Sequence, residues 1–157
     1  MTELKTGEKA PDFSLKNQDD KFVSLSNFKG QWIVLYFYPK DDTPGCTIEA
    51  NDFTKFVKDF EKLNAAIIGV SPDSVNSHCK FIEKYKLKIN LLSDPDHTAL
   101  NKYDVWREKN MYGKKYFGVY RSTFLIDTNG KISAVWYGVK TEGHAEEVKK
   151  KLKELQK

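Results

Sequence analysis

The residue with the clearest chemical potential is Cys46. It stands in Tyr36-Phe37-Tyr38-Pro39-Lys40-Asp41-Asp42-Thr43-Pro44-Gly45-Cys46-Thr47-Ile48-Glu49, after an apolar run and before a helical pattern. That placement puts the thiol in the first turn of a helix, where unpaired N–H groups and the positive end of the helix dipole converge. Such surroundings favour thiolate over thiol, and the thiolate is the nucleophile. A cysteine is also a common small core residue, but Cys46 lies in a polar loop, outside the apolar stripe of the helix that follows. Thr43 has two possible tasks, a hydroxyl partner for the thiolate or the N-cap of the helix. Pro44-Gly45 is turn chemistry, and Gly45 also lets a ligand approach the backbone closely.

Of 26 basic residues only Arg107 and Arg121 are arginine. Arginine holds a planar fork of donors, whereas lysine is a mobile point charge. Arg121, just ahead of an apolar run, is either a surface charge or a fork for developing anionic charge. Glu49 lies one helical turn beyond Cys46 and reads as a favourable charge in the helix's first turn. The second cysteine, Cys79 in Ser77-His78-Cys79-Lys80-Phe81, shares helical spacing with Val75, Ile82 and Tyr85. It reads either as a second redox thiol or as a packing residue. The two cysteines form neither a CxxC pair nor a zinc pattern. His78, His97 and His144 show no ligand spacing, so no metal or cofactor is expected. Tyr112, Tyr116 and Tyr120 line a substrate opening or pack a loop.

The elements that must position these groups follow from periodicity. Asp12–Leu15 and Lys21–Leu25 read as short strands joined by Asn17-Gln18-Asp19-Asp20. Trp32–Tyr38 is apolar throughout, as befits a central strand covered on both faces. Ile48, Phe53, Phe56, Val57, Phe60 and Leu63 recur at three- and four-residue steps and predict one helix. Ala65–Val70 is a second buried strand. Ser71-Pro72-Asp73-Ser74 opens a helix carrying Val75, Cys79, Ile82 and Tyr85. A short strand at Asn90–Leu92 and a short helix at His97–Tyr103 follow, then a Gly- and Tyr-rich connection from Trp106 to Tyr120. Asp127-Thr128-Asn129-Gly130 between Ser122–Ile126 and Ile132–Tyr137 predicts a hairpin. A Lys/Glu-rich helix, His144–Leu155, closes the chain with Val148, Leu152 and Leu155 inward. Strands alternating with helices, then a hairpin and a last helix, predict an α/β fold with a central mixed sheet flanked by helices and an N-terminal strand extension.

Bulk properties bound the partners. The 157 residues suit one domain, 1–157. A content of 39% hydrophobic residues supports a buried core, and 26 basic against 22 acidic residues is too even for a nucleic-acid binder. The longest apolar run is too short to cross a bilayer, and no basic segment followed by an apolar stretch marks a secretory signal. The cytoplasm, with no membrane partner, is the expected compartment, where a permanent structural disulfide is unusual.

The pattern Pro39-x-x-x-Thr43-x-x-Cys46 resembles the peroxiredoxin active-site signature. Phe37-Tyr38-Pro39-Lys40 and Thr43-Pro44-Gly45-Cys46-Thr47 resemble the bacterioferritin-comigratory, or Q-type, subfamily. Ala10-Pro11-Asp12-Phe13-Ser14-Leu15, Gly69-Val70-Ser71-Pro72-Asp73-Ser74, Leu91-Leu92-Ser93-Asp94 and Arg121-Ser122-Thr123-Phe124-Leu125-Ile126-Asp127 extend the likeness over the whole chain. The resemblance implies a thioredoxin-like fold and a thiol peroxidase whose substrates are hydrogen peroxide and alkyl hydroperoxides. It implies that Cys46 attacks the peroxide and becomes a sulfenic acid. Thr43 would hydrogen-bond thiolate and peroxide, Pro39 would shield the sulfur, and the amides of Gly45 and Cys46 would contact substrate. Arg121 would stabilise charge as the O–O bond breaks, oriented by Glu49.

Many Q-type members carry a resolving cysteine five residues after the first, where this chain has Asn51. Others place it on the third helix, which points to Cys79. If Cys79 only packs, the enzyme uses one cysteine. The resemblance further implies recycling by thioredoxin or a similar dithiol, and a monomer or weak homodimer. A disulfide oxidoreductase would want a CxxC. A redox sensor relaying oxidation to a partner protein would carry the same reactive thiol, and sequence leaves that alternative open.

Overall fold

The computed structural model describes residues 3–157. In chain order its elements are β1 (Ser14–Lys16), β2 (Phe22–Ser24), a 3-10 turn (Leu25–Phe28), β3 (Trp32–Phe37), α1 (Pro44–Lys55), α2 (Val57–Lys62), β4 (Ala65–Ser71), α3 (Val75–Tyr85), β5 (Asn90–Ser93), α4 (Thr98–Lys102), β6 (Trp106–Met111), β7 (Lys114–Val119), β8 (Ser122–Ile126), β9 (Ile132–Tyr137) and α5 (His144–Leu155). Seven strands form one sheet in the order β2-β1-β5-β4-β3-β8-β9. β3, β4 and β5 run parallel, while β8 is antiparallel to β3 and β9 to β8. The N-terminal extension enters through β1, which pairs with β5 at Lys16 and Ser93.

The unbroken apolar run of β3 is explained by its central position. Ile33, Leu35 and Phe37 pack on one face with Leu100, Tyr103, Val105 and Phe124. Val34, Tyr36 and Tyr38 pack on the other with Ala50 and Phe53 of α1, Phe60 of α2, Phe81 of α3 and Leu152 of α5. Because side chains alternate along a strand, the one segment anchors both cores. The two cysteine-bearing helices, α1 and α3, therefore share a face and both start beyond the C-terminal ends of parallel strands.

Three details differ from the periodic reading. The expected single helix through Leu63 bends at Phe56 (φ −98°, ψ 8°), dividing α1 from α2. The bend still brings Phe53 and Phe60 into one core, with ring centroids 6.1 Å apart. The Trp106–Tyr120 connection is a hairpin, β6–β7, whose Tyr112 (φ 54°) and Gly113 (φ 79°) supply the two left-handed residues of a tight turn. On α3 the inward positions are taken by His78 and Phe81, and Cys79 is exposed. The spacing that placed Cys79 in the apolar stripe fits His78 as well, and His78 occupies the inward position. The hairpin predicted at Asp127–Gly130 forms, with Asp127 Oδ1 accepting from the amides of Asn129 at 2.9 Å and Lys131 at 3.0 Å. Among the described residues, no helix is long and apolar enough to cross a membrane.

Candidate active site

β3 delivers the chain to the site and α1 begins it. Tyr38 continues the strand pairing through its amide, which donates to Val70 O at 3.0 Å. Pro39 then ends the strand. Thr43 is the N-cap residue (φ −98°, ψ 157°) and Pro44 follows at the first helical position, where its missing N–H costs nothing. The helical ladder starts with Thr47 N–H donating to Thr43 O at 2.8 Å. The amides of Gly45 and Cys46 precede that ladder and converge at the dipole's positive end.

Cys46 is 1% exposed. Arg121, at the start of β8, lies across it. Its Nη2 donates to Cys46 Sγ at 3.1 Å and its Nη1 to Glu49 Oε1 at 2.7 Å. Two residues a helical turn apart on α1 are thus joined by one fork from the antiparallel neighbour of β3. Burial by itself lowers the guanidinium's pKa, but Glu49 and then Cys46 outweigh it and hold the group above its ordinary value. Glu49 is fully buried. Burial pushes its carboxyl up to about 7, against the opposing pull of Arg121. Its second oxygen, Oε2, has no hydrogen-bond partner among the described residues.

Gly45 makes room for this arrangement. A Cβ there would lie 3.4 Å from Arg121 Nη2 and 3.6 Å from Thr141 Cγ2. Thr43 does something the sequence did not anticipate. Its hydroxyl donates to Lys40 O at 2.9 Å, so its single proton does not go to the sulfur, and its oxygen accepts from no helix amide. What Thr43 offers toward the site is a pair of acceptor lone pairs.

Of the residues singled out from sequence, the structure brings Cys46, Glu49, Arg121 and Gly45 into direct contact, with Thr43 and Pro39 on the connecting loop. Cys79 stands apart: its thiol donates to Gln18 O in the β1–β2 turn at 2.9 Å. Sequence reasoning passed over Asp41 and His78, which sit against this loop in a buried network. It also passed over Lys109 of β6, whose stem runs beside Gly118. Burial lowers the Lys109 pKa, as does Arg121, while Cys46 works the other way.

The AhpC/TSA family model matches residues 6–135. The chain belongs to that family and is a peroxiredoxin. It is 49% identical over 152 residues to Peroxiredoxin Bcp of Bacillus subtilis, covering 97% of each chain. With Peroxiredoxin Bcp of Escherichia coli K12 the identity is 42% over 154 residues, 98% of this chain and 99% of that one. The structure of the bacterioferritin comigratory protein of Xanthomonas campestris, solved in connection with alkyl peroxide reduction, superposes with a TM-score of 0.91 at 41% identity, covering 98% of this chain and all of that one. A PrxQ structure from Xylella fastidiosa gives 0.94 at 39% identity over the full length of both. The mixed sheet flanked by helices is thus the thioredoxin-like fold of these peroxiredoxins, and the chain is a thiol peroxidase.

Proposed function

We propose that Cys46 is the nucleophile of this peroxidase and that Arg121 is the group that readies both sulfur and substrate. The observation carrying this reading is the fork of Arg121, one arm on Cys46 Sγ and the other on buried Glu49. In the reaction the thiolate sulfur attacks the nearer peroxide oxygen and an S–O bond forms as the O–O bond breaks. The attacked oxygen keeps its hydrogen, the departing oxygen takes a proton from solvent and leaves as water or an alcohol, and Cys46 becomes a sulfenic acid. Negative charge moves from sulfur to the departing oxygen, so a fixed cation and the amides of Gly45 and Cys46 serve both ends of that path. Thr43 Oγ, its proton already committed to Lys40 O, accepts from the O–H of hydrogen peroxide or an alkyl hydroperoxide. Pro39 closes the sulfur off from water. Glu49 keeps Arg121 in register.

Cys79 resolves the sulfenic acid in this reading. Its thiol is free and exposed, which suits attack on an oxidised partner and disfavours a packing role. The Cys79 sulfur displaces the sulfenic oxygen as water, leaving a Cys46–Cys79 disulfide. Thioredoxin or a similar dithiol then reduces it. The chain, 1–157, works as one domain in the cytoplasm, as a monomer or weak homodimer.

The test is Cys46→Ser, assayed with hydrogen peroxide and an alkyl hydroperoxide in a thioredoxin-coupled system. The variant should fold and lose essentially all turnover; a folded variant retaining more than a few per cent would refute the assignment.

A further inference from the structure

The Lys40–Thr43 loop lies outside the helices and strands, and Asp42 adopts φ 59° within it. Yet it fixes Thr43 and the first turn of α1. Asp41 is what ties it down. This carboxylate is 7% exposed and sits where an unpartnered charge would be strongly disfavoured. Oδ1 accepts from Tyr38 O–H at 2.6 Å, and Oδ2 accepts from Ser77 O–H at 2.7 Å. His78 Nδ1 is also 2.7 Å from Oδ2, and His78 Nε2 is 3.0 Å from Leu92 O. A carbonyl oxygen only accepts, so Nε2 carries a proton. Oδ2 also accepts from Ser77, and one proton lies between it and Nδ1. The donors and acceptors close with Asp41 and His78 joined by that proton.

The same residue is held from its backbone. Asp41 N–H donates to Asp73 Oδ2 at 2.8 Å, and that oxygen also accepts from Ser71 O–H at 2.7 Å. Asp41, Asp73 and His78 thus offer ligand atoms within 4.8 Å of one another, but the oxygens concerned already accept hydrogen bonds and the contacts read as protons rather than a metal. Asp42 adds an outer tether, Oδ2 accepting from Lys84 at 2.8 Å and Oδ1 from Tyr85 at 2.6 Å. That tether is solvent-exposed and weak. The buried pair does most of the holding.

We propose that Asp41 and His78 form a latch, positioning residues that clamp the Cys46 loop onto α3 in the peroxide-reactive form and that must part before the oxidised sulfur can be reached. The proposal rests on Cys46 being the nucleophile. Its logic is positional. His78 and Cys79 are consecutive on a helix, where each residue turns by about 100°, so a ring facing Asp41 sends the next thiol elsewhere, to Gln18 O. With the latch closed, Cys46 is buried and Cys79 faces away from the loop. Any movement that lifts the loop from α3, or unwinds the start of α3, breaks the Asp41–His78 pair. The latch therefore sets two rates in opposite senses: closed, it holds Thr43 and the α1 amides for peroxide attack; open, it exposes the sulfenic acid.

The experiment separates those rates in a Cys79→Ser parent, where no internal disulfide forms. Hydrogen peroxide oxidises Cys46, and dimedone traps the product: its carbanion forms a C–S bond as the S–O bond breaks, releasing water. Asp41→Asn and His78→Asn are compared with that parent, and Ser77→Ala, which leaves the Asp41–His78 contact in place, provides a milder member of the series. Folded variants of the pair should oxidise on the order of tenfold more slowly while their sulfenic acid reacts with dimedone on the order of tenfold faster, as a shift in a local opening equilibrium requires. The ¹⁵N spectrum of the parent should show His78 Nε2 protonated and Nδ1 in a strong hydrogen bond, and Asp41→Asn should abolish the Nδ1 signature. Both rates unchanged, or both falling by the same factor, would overturn the latch. Should Asp41→Asn fail to fold, the same pattern at reduced size in Ser77→Ala supports the latch and unchanged rates there overturn it. If the parent itself gives no dimedone adduct at Cys46, the nucleophile assignment falls and the latch with it.

Discussion

Arg121 reaches the sulfur of Cys46 and the carboxylate of Glu49 through different nitrogens, a task that needs a planar fork. Lysine keeps the charge but presents one compact ammonium, which cannot hold both partners in this geometry. Arg121→Lys should therefore lower the second-order rate with hydrogen peroxide by roughly 10–1000-fold, the range for removing one preorganised donor. Stopped-flow rates equal to wild type would show that the fork does no catalytic work.

Glu49 makes a separate prediction because its burial has a pH signature. Its carboxyl is raised from 4.5 to about 7 in the folded chain. A raised acid means that the native state holds a proton the unfolded state has released. The stability from that proton is present below the unfolded value, declines as pH rises, and is lost once pH passes about 7. The shift corresponds to an upper bound of about 3 kcal/mol. Glu49→Gln cannot titrate, so urea denaturation at pH 5 and pH 8 should give the variant a smaller loss of stability across that interval than wild type. Equal losses in the two proteins would mean that Glu49 does not titrate there.

At the scale of elements, Cys46 depends on how α1 lies on the sheet, and that contact runs through Tyr36. Its ring is buried and stacks on Phe53 of α1 with centroids 4.8 Å apart. On the strand beside it Gly69 leaves the space the ring uses: a Cβ there would stand 2.8 Å from Tyr36 Cζ and 2.9 Å from both Tyr36 Oη and Leu91 Cδ2. Gly69→Ala would push the ring toward α1. Overpacking of this kind costs about 1–3 kcal/mol, measurable as a lowered urea midpoint, and the displaced helix start should slow peroxide attack as well. An unchanged midpoint would mean that the strand yields instead.

These same elements show what the sequence could disclose. The seven apolar residues Trp32–Tyr38 announced a strand buried on both faces because no half-exposed strand tolerates such a run. Asp127–Gly130 announced a hairpin because its backbone demands are local. The β6–β7 hairpin carried a similar local mark, Tyr112-Gly113, but its flanking strands are exposed and polar and show no clear alternation. For α3, spacing from Val75 fits positions 78 and 79 alike, and hydropathy favoured the cysteine. The polar His78 faces inward because a partner awaits it there. That partner, Asp41, lies 37 residues earlier. A buried hydrogen bond between distant polar residues leaves no periodic trace, so the motif around Cys46 was legible while the network supporting it was not.

At the scale of the molecule, the two cysteines occupy helices resting on one sheet, and the sheet has reason to stay still. β3 is hydrogen-bonded on both sides, to β4 and β8, and its side chains fill the cores on both faces. A Cys46–Cys79 bond requires Cα atoms within about 4.4–6.8 Å, whereas one thiol lies under Arg121 and the other against Gln18. In the proposed cycle the movement falls on the Lys40–Phe56 and Ser74–Tyr85 segments, which carry the two thiols. Hydrogen exchange on protein treated with one equivalent of hydrogen peroxide, without reductant, should rise in those two segments while β3, β4 and β8 stay protected. The change should reverse with dithiothreitol and be absent in Cys79→Ser, whose oxidised Cys46 has no internal partner. Exchange that also rises in β3 would indicate general destabilisation rather than a local transition. Exchange that stays native throughout, together with sulfinic acid accumulating at Cys46, would mean that Cys79 takes no part in the cycle.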